Sequence, residues 1–289
     1  MSTSATARQN WDLEIKPRNS IFNLHFKEVW AYRDLLLLLV RRDFVSYYKQ
    51  TLLGPVWFFV QPALTTLIYT FVFSRLAGIS TDGIPPPLFY VAGITAWNYF
   101  ADCLNKTSSV FRDNAHIFGK VYFPRLIMPL GIVLSSLIRF GVQMLLFLLM
   151  FGYYMFTGAH FSPTWYILLF PLLVIIMAFL GMGMGMMVSA LTTRYRDLIF
   201  LVTFGVQLLM YGTTVIYPLS TALQRYPELA RFIELNPMTP IIETFRYGFL
   251  GSGSFSWGGL LYCAAVSVII TIVGIIVFNR SERSFVDTV

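Results

Sequence analysis

Six long apolar stretches, at 52–74, 88–104, 126–156, 165–191, 198–217 and 257–278, account for most of this 289-residue chain. A bilayer core about 30 Å thick asks for about 20 such residues per helix, so each stretch is a candidate span. Hydrophobic residues make up 56% of the chain and charged residues 12%, against about 25% charged in a soluble domain. The mean hydropathy of +0.66 points the same way. The expected fold is all-α: a polytopic integral membrane protein with six transmembrane helices, an N-terminal interfacial helix and two short outer re-entrant helices.

The basic residues set the orientation. Arg8, Lys16, Arg18, Lys27, Arg33, Arg41, Arg42 and Lys49 precede the first span, and Lys106, Arg112, Lys120 and Arg125 fall in the second loop. Arg194 and Arg196 fall in the fourth loop, and Arg280 and Arg283 in the tail. Arg75, Arg225, Arg231 and Arg246 lie on the opposite side, and Arg139 lies inside a span. Positive loops stay in the cytoplasm, so both termini are expected there. The net charge of +7 is then a topology signal, not a nucleic-acid footprint. No apolar run followed by a small-residue cleavage site leads the chain, so no cleaved signal peptide is expected. Cys103 and Cys263 fall inside spans and are expected to be free thiols.

Residues 1–26 read as a flexible cytoplasmic arm and 27–289 as one transmembrane domain. In 27–50 the run Leu35–Val40 is too short to span and is flanked by Arg33, Asp34, Arg41, Arg42 and Asp43. Such a segment suits a helix lying in the interface; the bland alternative is a topogenic flank. In the loop 106–125, Val110, Phe111, Ile117 and Phe118 alternate with Arg112, Asp113, His116 and Lys120. That pattern suits a short amphipathic helix docking a soluble partner, or a loop lying on lipid.

Within the spans, Arg139 needs water or an anion, because charge in hydrocarbon is costly. Asp102 falls near the end of the second span and is its expected partner. Gly181 and Gly185 are four apart on an apolar helix, the spacing of a close helix–helix contact. The outer region 218–256 carries Tyr226-Pro227, Asn236-Pro237 and Thr239-Pro240. It is expected to form two half-helices, at 228–235 and from Thr239, with Glu243 and Arg246 spaced to pair on one face.

Catalytic sets are missing. His25, His116 and His160 are scattered, no metal-ligand spacing occurs, and G-x-x-x-x-G-K-[ST] is absent, so the chain is expected neither to be an enzyme nor to bind ATP itself. Intramembrane carboxylates are too few for a proton relay. Two spans do carry polar and aromatic residues at helical spacing: Trp57, Phe58, Gln61, Thr65 and Tyr69 in the first, and Thr203, Gln207, Tyr211 and Thr214 in the fifth. Polar groups avoid lipid, so these faces are expected to point inward, as a path lining or as glue between helices. Rings beside hydroxyls and amides suit a sugar.

The chain also resembles the membrane subunits of type-2 ABC exporters of lipid-linked polysaccharide, the O-antigen, capsule and teichoic-acid permeases. The resemblance runs from about Tyr32 to Asn279 and is carried by Tyr32-Arg33-Asp34-Leu35, Arg41-Arg42-Asp43-Phe44, the run Tyr48 to Pro55 with Gln61-Pro62, and Lys120-Val121-Tyr122-Phe123-Pro124-Arg125. Tyr195-Arg196-Asp197-Leu198, Tyr217-Pro218 and Leu235-Asn236-Pro237-Met238 complete it. The resemblance implies a homodimer in the bacterial inner membrane with two copies of a separate ATPase subunit, which binds the ATP and Mg. It implies ATPase coupling through the interfacial helix and the second loop (Arg33, Asp34, Phe111, Arg112, Asp113, His116, Lys120). The first and fifth spans would line the path, and Asn236, Pro237, Glu243 and Arg246 would shape an outer gate. The cargo implied is a polyprenyl-diphosphate-linked glycan, most simply O-antigen, its diphosphate drawn by Arg41, Arg42 and Lys49. The alternatives are capsule, teichoic acid, or a small lipid or drug on the same architecture. An integral glycan enzyme would need a reactive cluster that this sequence lacks, and a lone channel would need no ATPase.

Overall fold

A computed structural model describes residues 30–49, 54–114, 117, 123–159, 161–195 and 197–286. All regular structure among them is helical. Helix α1 is Arg33–Tyr48. Helix α2, Gly54–Leu76, opens in a 3₁₀ turn and closes in a π-helical stretch, Thr70–Leu76. Next come α3 (Pro86–Ser108), the short α4 (Val110–Asp113) and α5 (Ile127–Phe156). Helix α6 (Phe170–Arg194) follows a 3₁₀ turn at Trp165–Leu169, and α7 is Leu198–Tyr211. Three shorter helices, α8 (Leu219–Arg225), α9 (Pro227–Leu235) and α10 (Met238–Leu250), lead to the last helix, α11 (Trp257–Val286).

Among the described residues, four helices are long and apolar enough to cross a membrane: Gly54–Leu76, Ile127–Phe156, Trp165–Thr192 and Trp257–Ser281. Helix α3 is long enough at 23 residues, about 34 Å at 1.5 Å per residue, but it is less apolar than these four. Its position explains why. It packs against α2, α5, α6, α7 and α10, and sixteen of its residues are buried. A helix sheathed in protein can carry Asn98 and Asp102, because neighbouring side chains answer their polar groups.

The fifth apolar stretch is shorter than its sequence suggests. Helix α7 stops at Tyr211 after 14 residues, about 21 Å. From Gly212 the chain turns away toward α8. The carbonyls of Thr214 and Val215 leave the helical ladder and accept hydrogen bonds from Arg246 instead. Thr214 is therefore not on the α7 face with Thr203 and Gln207. The start of α10 also differs from the expected Thr239. The helix begins at Met238, and the Asn236 side chain, not Thr239, accepts the Met238 N–H at 3.0 Å. An Asn two residues before the amide has the geometry of an Asx turn.

The glycines of α6 set the layer spacing. A Cβ on Gly181 would lie 2.8 Å from the Phe100 carbonyl, and one on Gly185 would lie 2.8 Å from that of Leu104. Both therefore seat α6 against α3. Gly183 turns the other way, against Thr271, and a Cβ on Gly274 would lie 2.5 Å from the Gly183 carbonyl. Two threonines bolt these contacts: Thr192 donates to the Ser108 carbonyl at 2.6 Å and Thr271 to that of Phe179 at 2.8 Å. A second apolar cluster gathers Leu39 of α1, Phe111 of α4, Ile127 of α5, Met186 of α6 and Phe278 of α11.

Larger side chains at these glycines should overpack the layers, which typically costs about 1–3 kcal/mol and occasionally more. Gly183→Val and Gly274→Val are expected to lower the detergent-solubilised unfolding temperature and the membrane yield. Gly141→Ala and Gly205→Ala, where a Cβ meets nothing within 4 Å, are expected to leave both near wild type. Unfolding monitored by tryptophan fluorescence checks the contrast.

Candidate functional site

Asn236, Pro237, Glu243 and Arg246, singled out by the sequence, lie in one largely buried clasp. Glu243 and Arg246 are both fully buried on α10, with Glu243 Oε1 3.7 Å from Arg246 Nη1. The guanidinium donates to the Thr214 carbonyl, to Val215 O at 2.8 Å and to Phe89 O at 3.4 Å. It lies 3.5 Å from the centroid of the Phe89 ring, a cation–π distance. Gly93 makes the room, since a Cβ there would meet Arg246 Nη2 at 2.8 Å. Glu243 Oε2 accepts the Ser254 N–H at 3.1 Å. Asn236 adds a second tie by donating to the Gly212 carbonyl at 3.3 Å. The Pro237 carbonyl accepts from the Cys263 thiol at 3.0 Å. Together these contacts lock α10 to α3, to the turn after α7 and to α11.

A second polar constellation lies between α2, α3 and α5. It lines a cleft of about 430 Å³ that takes in Trp57, Phe58 and Gln61 from α2, Asn98, Asp102 and Asn105 from α3, and Arg139 and Gln143 from α5. Arg139 Nη1 approaches Asp102 Oδ2 to 3.4 Å, and Lys106 Nζ approaches Asp102 Oδ1 to 3.8 Å. Arg139 also faces the Phe58 ring at 5.9 Å. Asn98 Nδ2 donates to Gln143 Oε1 at 3.2 Å. Sequence alone pointed to Asp102 and Arg139 but not to Asn98, Asn105 or Gln143. Helical spacing was the available signal: 98, 102 and 105 share one face of α3, and 139 and 143 share one face of α5.

The two polar stripes do not enclose a path within one copy of the chain. Gln61 and Trp57 are exposed on α2, and Thr203, Gln207 and Tyr211 are exposed on α7. The Thr65 and Thr203 hydroxyls bond back to Gln61 O and Ile199 O on their own helices, each at 2.9 Å. Tyr69 turns into the protein, edge-on to Phe73 and Tyr90, with its hydroxyl 3.9 Å from Met210 Sδ. Thr214 is fully buried and lies apart from the exposed face of α7. Val206 is the only residue of α7 that is fully buried among the described residues.

On α1, Leu36 and Leu39 seat against Gly131 of α5, while Leu37 and Leu38 are exposed. Arg33 and Asp34 are exposed. Arg41 and Lys49 are exposed too, but Arg42 is engaged by Asp43 at 2.8 Å and by Asn114 at 3.4 Å. In α4, Arg112 and Asp113 are exposed and pair with each other at 2.8 Å. Phe111 was grouped with them, but its ring is buried and stacks on Phe278 at 4.5 Å. It anchors the segment within the protein. His116 and Lys120 lie outside the described residues.

Apolar spans around a buried polar framework define a multi-pass membrane protein, and comparison with known proteins gives its class. The chain belongs to the ABC-2 type transporter family, whose model matches residues 34–250. It is thus a transporter membrane component, not an enzyme. Among curated proteins it is similar to the O-antigen export system permease protein RfbA of Myxococcus xanthus, at 27% identity over 266 residues, covering 91% of this chain and 98% of that one. It is 28% identical over 259 residues to the Klebsiella pneumoniae protein of the same name, covering 88% and 94%.

Removing one partner of a buried ion pair typically destabilises by about 3–5 kcal/mol. Arg246→Met should therefore unfold at markedly lower temperature. Arg246→Lys should not restore stability, because an ammonium cannot span three carbonyls and a ring in one plane. Adding Glu243→Gln to Arg246→Met should recover part of the loss, as thermal unfolding would show.

Proposed function

We propose that the chain is the transmembrane subunit of an ATP-driven exporter that carries a polyprenyl-linked polysaccharide, O-antigen, across the bacterial inner membrane. It works as a homodimer with two copies of a separate ATPase subunit, which binds ATP and Mg. The names of the relatives support the cargo, and their near end-to-end similarity supports carrying it over. In this reading α3 and α7 join the four apolar helices as spans, giving six, with both termini cytoplasmic. Helix α1 lies in the cytoplasmic interface, apolar Leu37 and Leu38 toward lipid, and α9 and α10 enter from outside.

The observation that carries the reading is the exposed polar face of two otherwise apolar helices. Gln61 on α2 and Thr203, Gln207 and Tyr211 on α7 look away from their own protomer. Amides held against hydrocarbon are unfavourable by several kcal/mol on alkane scales, and less where partial pairing is possible. A second copy brought against these helices would turn the faces toward each other and toward water. Such a seam suits a long glycan: rings and amides hold each sugar weakly, so the polymer keeps moving.

The other parts then fall into place. Exposed Arg41 and Lys49 draw the carrier's diphosphate to the cytoplasmic surface, while Arg42 braces α1 against the second loop. Arg33, Asp34, Arg112 and Asp113 contact the ATPase. The Asn236–Arg246 clasp holds the outer helices as the gate that must yield when the path opens.

Co-expression of the chain with its neighbouring ATPase tests the proposal. A two-plus-two complex and glycan at the outer leaflet are expected. Gln207→Leu and Tyr211→Ala should reduce export several-fold while the complex still assembles. Export by the chain alone, or unchanged export in both variants, would remove the proposal.

A further inference from the structure

We infer that the cleft between α2, α3 and α5 is a saccharide-binding site that holds a sugar ring of the cargo, and that the phosphates of the lipid carrier do not enter it. The source of the sugar rests on the export reading above. The chemistry is argued from the cleft itself.

Its volume of about 430 Å³ falls within the range of roughly 300–1,000 Å³ that encloses small ligands. Its walls divide by type. Helix α2 gives rings: Trp57, 45% exposed, and Phe58. Helices α3 and α5 give hydrogen-bonding groups of both senses. Asn98 and Gln143 are joined through one N–H and one carbonyl, which leaves an amide oxygen on Asn98 and an amide N–H₂ on Gln143. The Asn105 side-chain oxygen is buried and receives no hydrogen bond from the protein. Asp102 meets Arg139 and Lys106 but keeps 30% of its side chain exposed.

That mixture decides between two ligands. An ionised phosphate only accepts hydrogen bonds, so it would face the Asp102 carboxylate and the Asn98 and Asn105 carbonyls oxygen to oxygen. One net positive charge from Arg139, Lys106 and Asp102 would not offset that when further cations lie exposed on α1. A sugar hydroxyl both donates and accepts. It satisfies the carboxylate and carbonyls through its O–H and takes N–H groups on its lone pairs. The C–H face of the same ring packs on an indole. A purely structural cluster would be closed and dry, whereas this one has an open indole at its mouth. The consequence is a cargo-reading step in the membrane subunit itself, made by α2, α3 and α5 of one protomer and joined to the α2–α7 seam through Gln61, which lines the cleft and is exposed on α2.

The test uses the full chain with its ATPase partner in nanodiscs and two probes: phosphate-free oligosaccharide released from the strain's own polymer, and inorganic pyrophosphate. Calorimetry should show millimolar saccharide binding that weakens ten-fold or more in Asn98→Ala and in Trp57→Ala. Trp57→Phe, which keeps a ring, should restore most of it, and pyrophosphate should not displace the saccharide. Absence of saccharide binding to the wild type, unchanged binding in both alanine variants, or displacement by pyrophosphate would overturn the inference. A complex that binds saccharide in this pattern but never exports glycan would instead sink the export reading and leave the site standing. Should Asn98→Ala fail to fold, Trp57→Ala at the exposed mouth still decides.

Discussion

A guanidinium inside the protein does the work that a helical ladder leaves undone. Arg246 takes up the carbonyls of Thr214, Val215 and Phe89, and Glu243 beside it balances the charge. The turn that ends α7 can be buried only because those oxygens are answered. In water such a turn would be solvated without help; within a membrane protein each unanswered carbonyl is penalised. The constraint that polar groups must be met from inside explains why α3 sits at the centre, why α7 is short and why α10 is buried on most of its faces.

The same constraint separates framework from function. Thr65 and Thr203 turn their hydroxyls back to their own helices, and Thr192 and Thr271 spend theirs on neighbouring helices. These are structural uses. Gln61, Gln207 and Tyr211 remain exposed on apolar helices. In the proposed dimer that residue of polar surface becomes the wet seam through which the glycan moves. The cleft around Asp102 and Arg139 is the other place where hydrogen-bonding groups exceed the needs of packing.

Much of the framework could be read from the sequence. Apolar length marked the helices, the spacing of Gly181 and Gly185 marked a close contact, and the i, i+3 spacing of Glu243 and Arg246 placed them on one face. These signals are local, or depend on the charge of a single residue, as with Arg139. What escaped is non-local. The carbonyls held by Arg246 lie 31 to 157 residues away in sequence. Asn98 and Gln143 are 45 residues apart and neutral, so no charge argument calls for their pairing. Phe111 fitted an amphipathic pattern, yet its partner, Phe278, comes from the far end of the chain. Thr214 continued the stripe in sequence, but a helix that ends at Tyr211 cannot carry a stripe beyond it.

The claim that α2 and α7 turn polar faces to a wet path is tested most directly by water accessibility. Both native cysteines, Cys103 and Cys263, are buried, so the background is low. Gln61→Cys and Gln207→Cys, compared with Leu67→Cys and Leu201→Cys on the same helices, would be labelled in the assembled exporter with a membrane-impermeant maleimide. The account predicts labelling at 61 and 207 that is quenched by transported glycan, and little at 67 and 201. Equal labelling at all four positions, or protection of 61 and 207 alone, would contradict it.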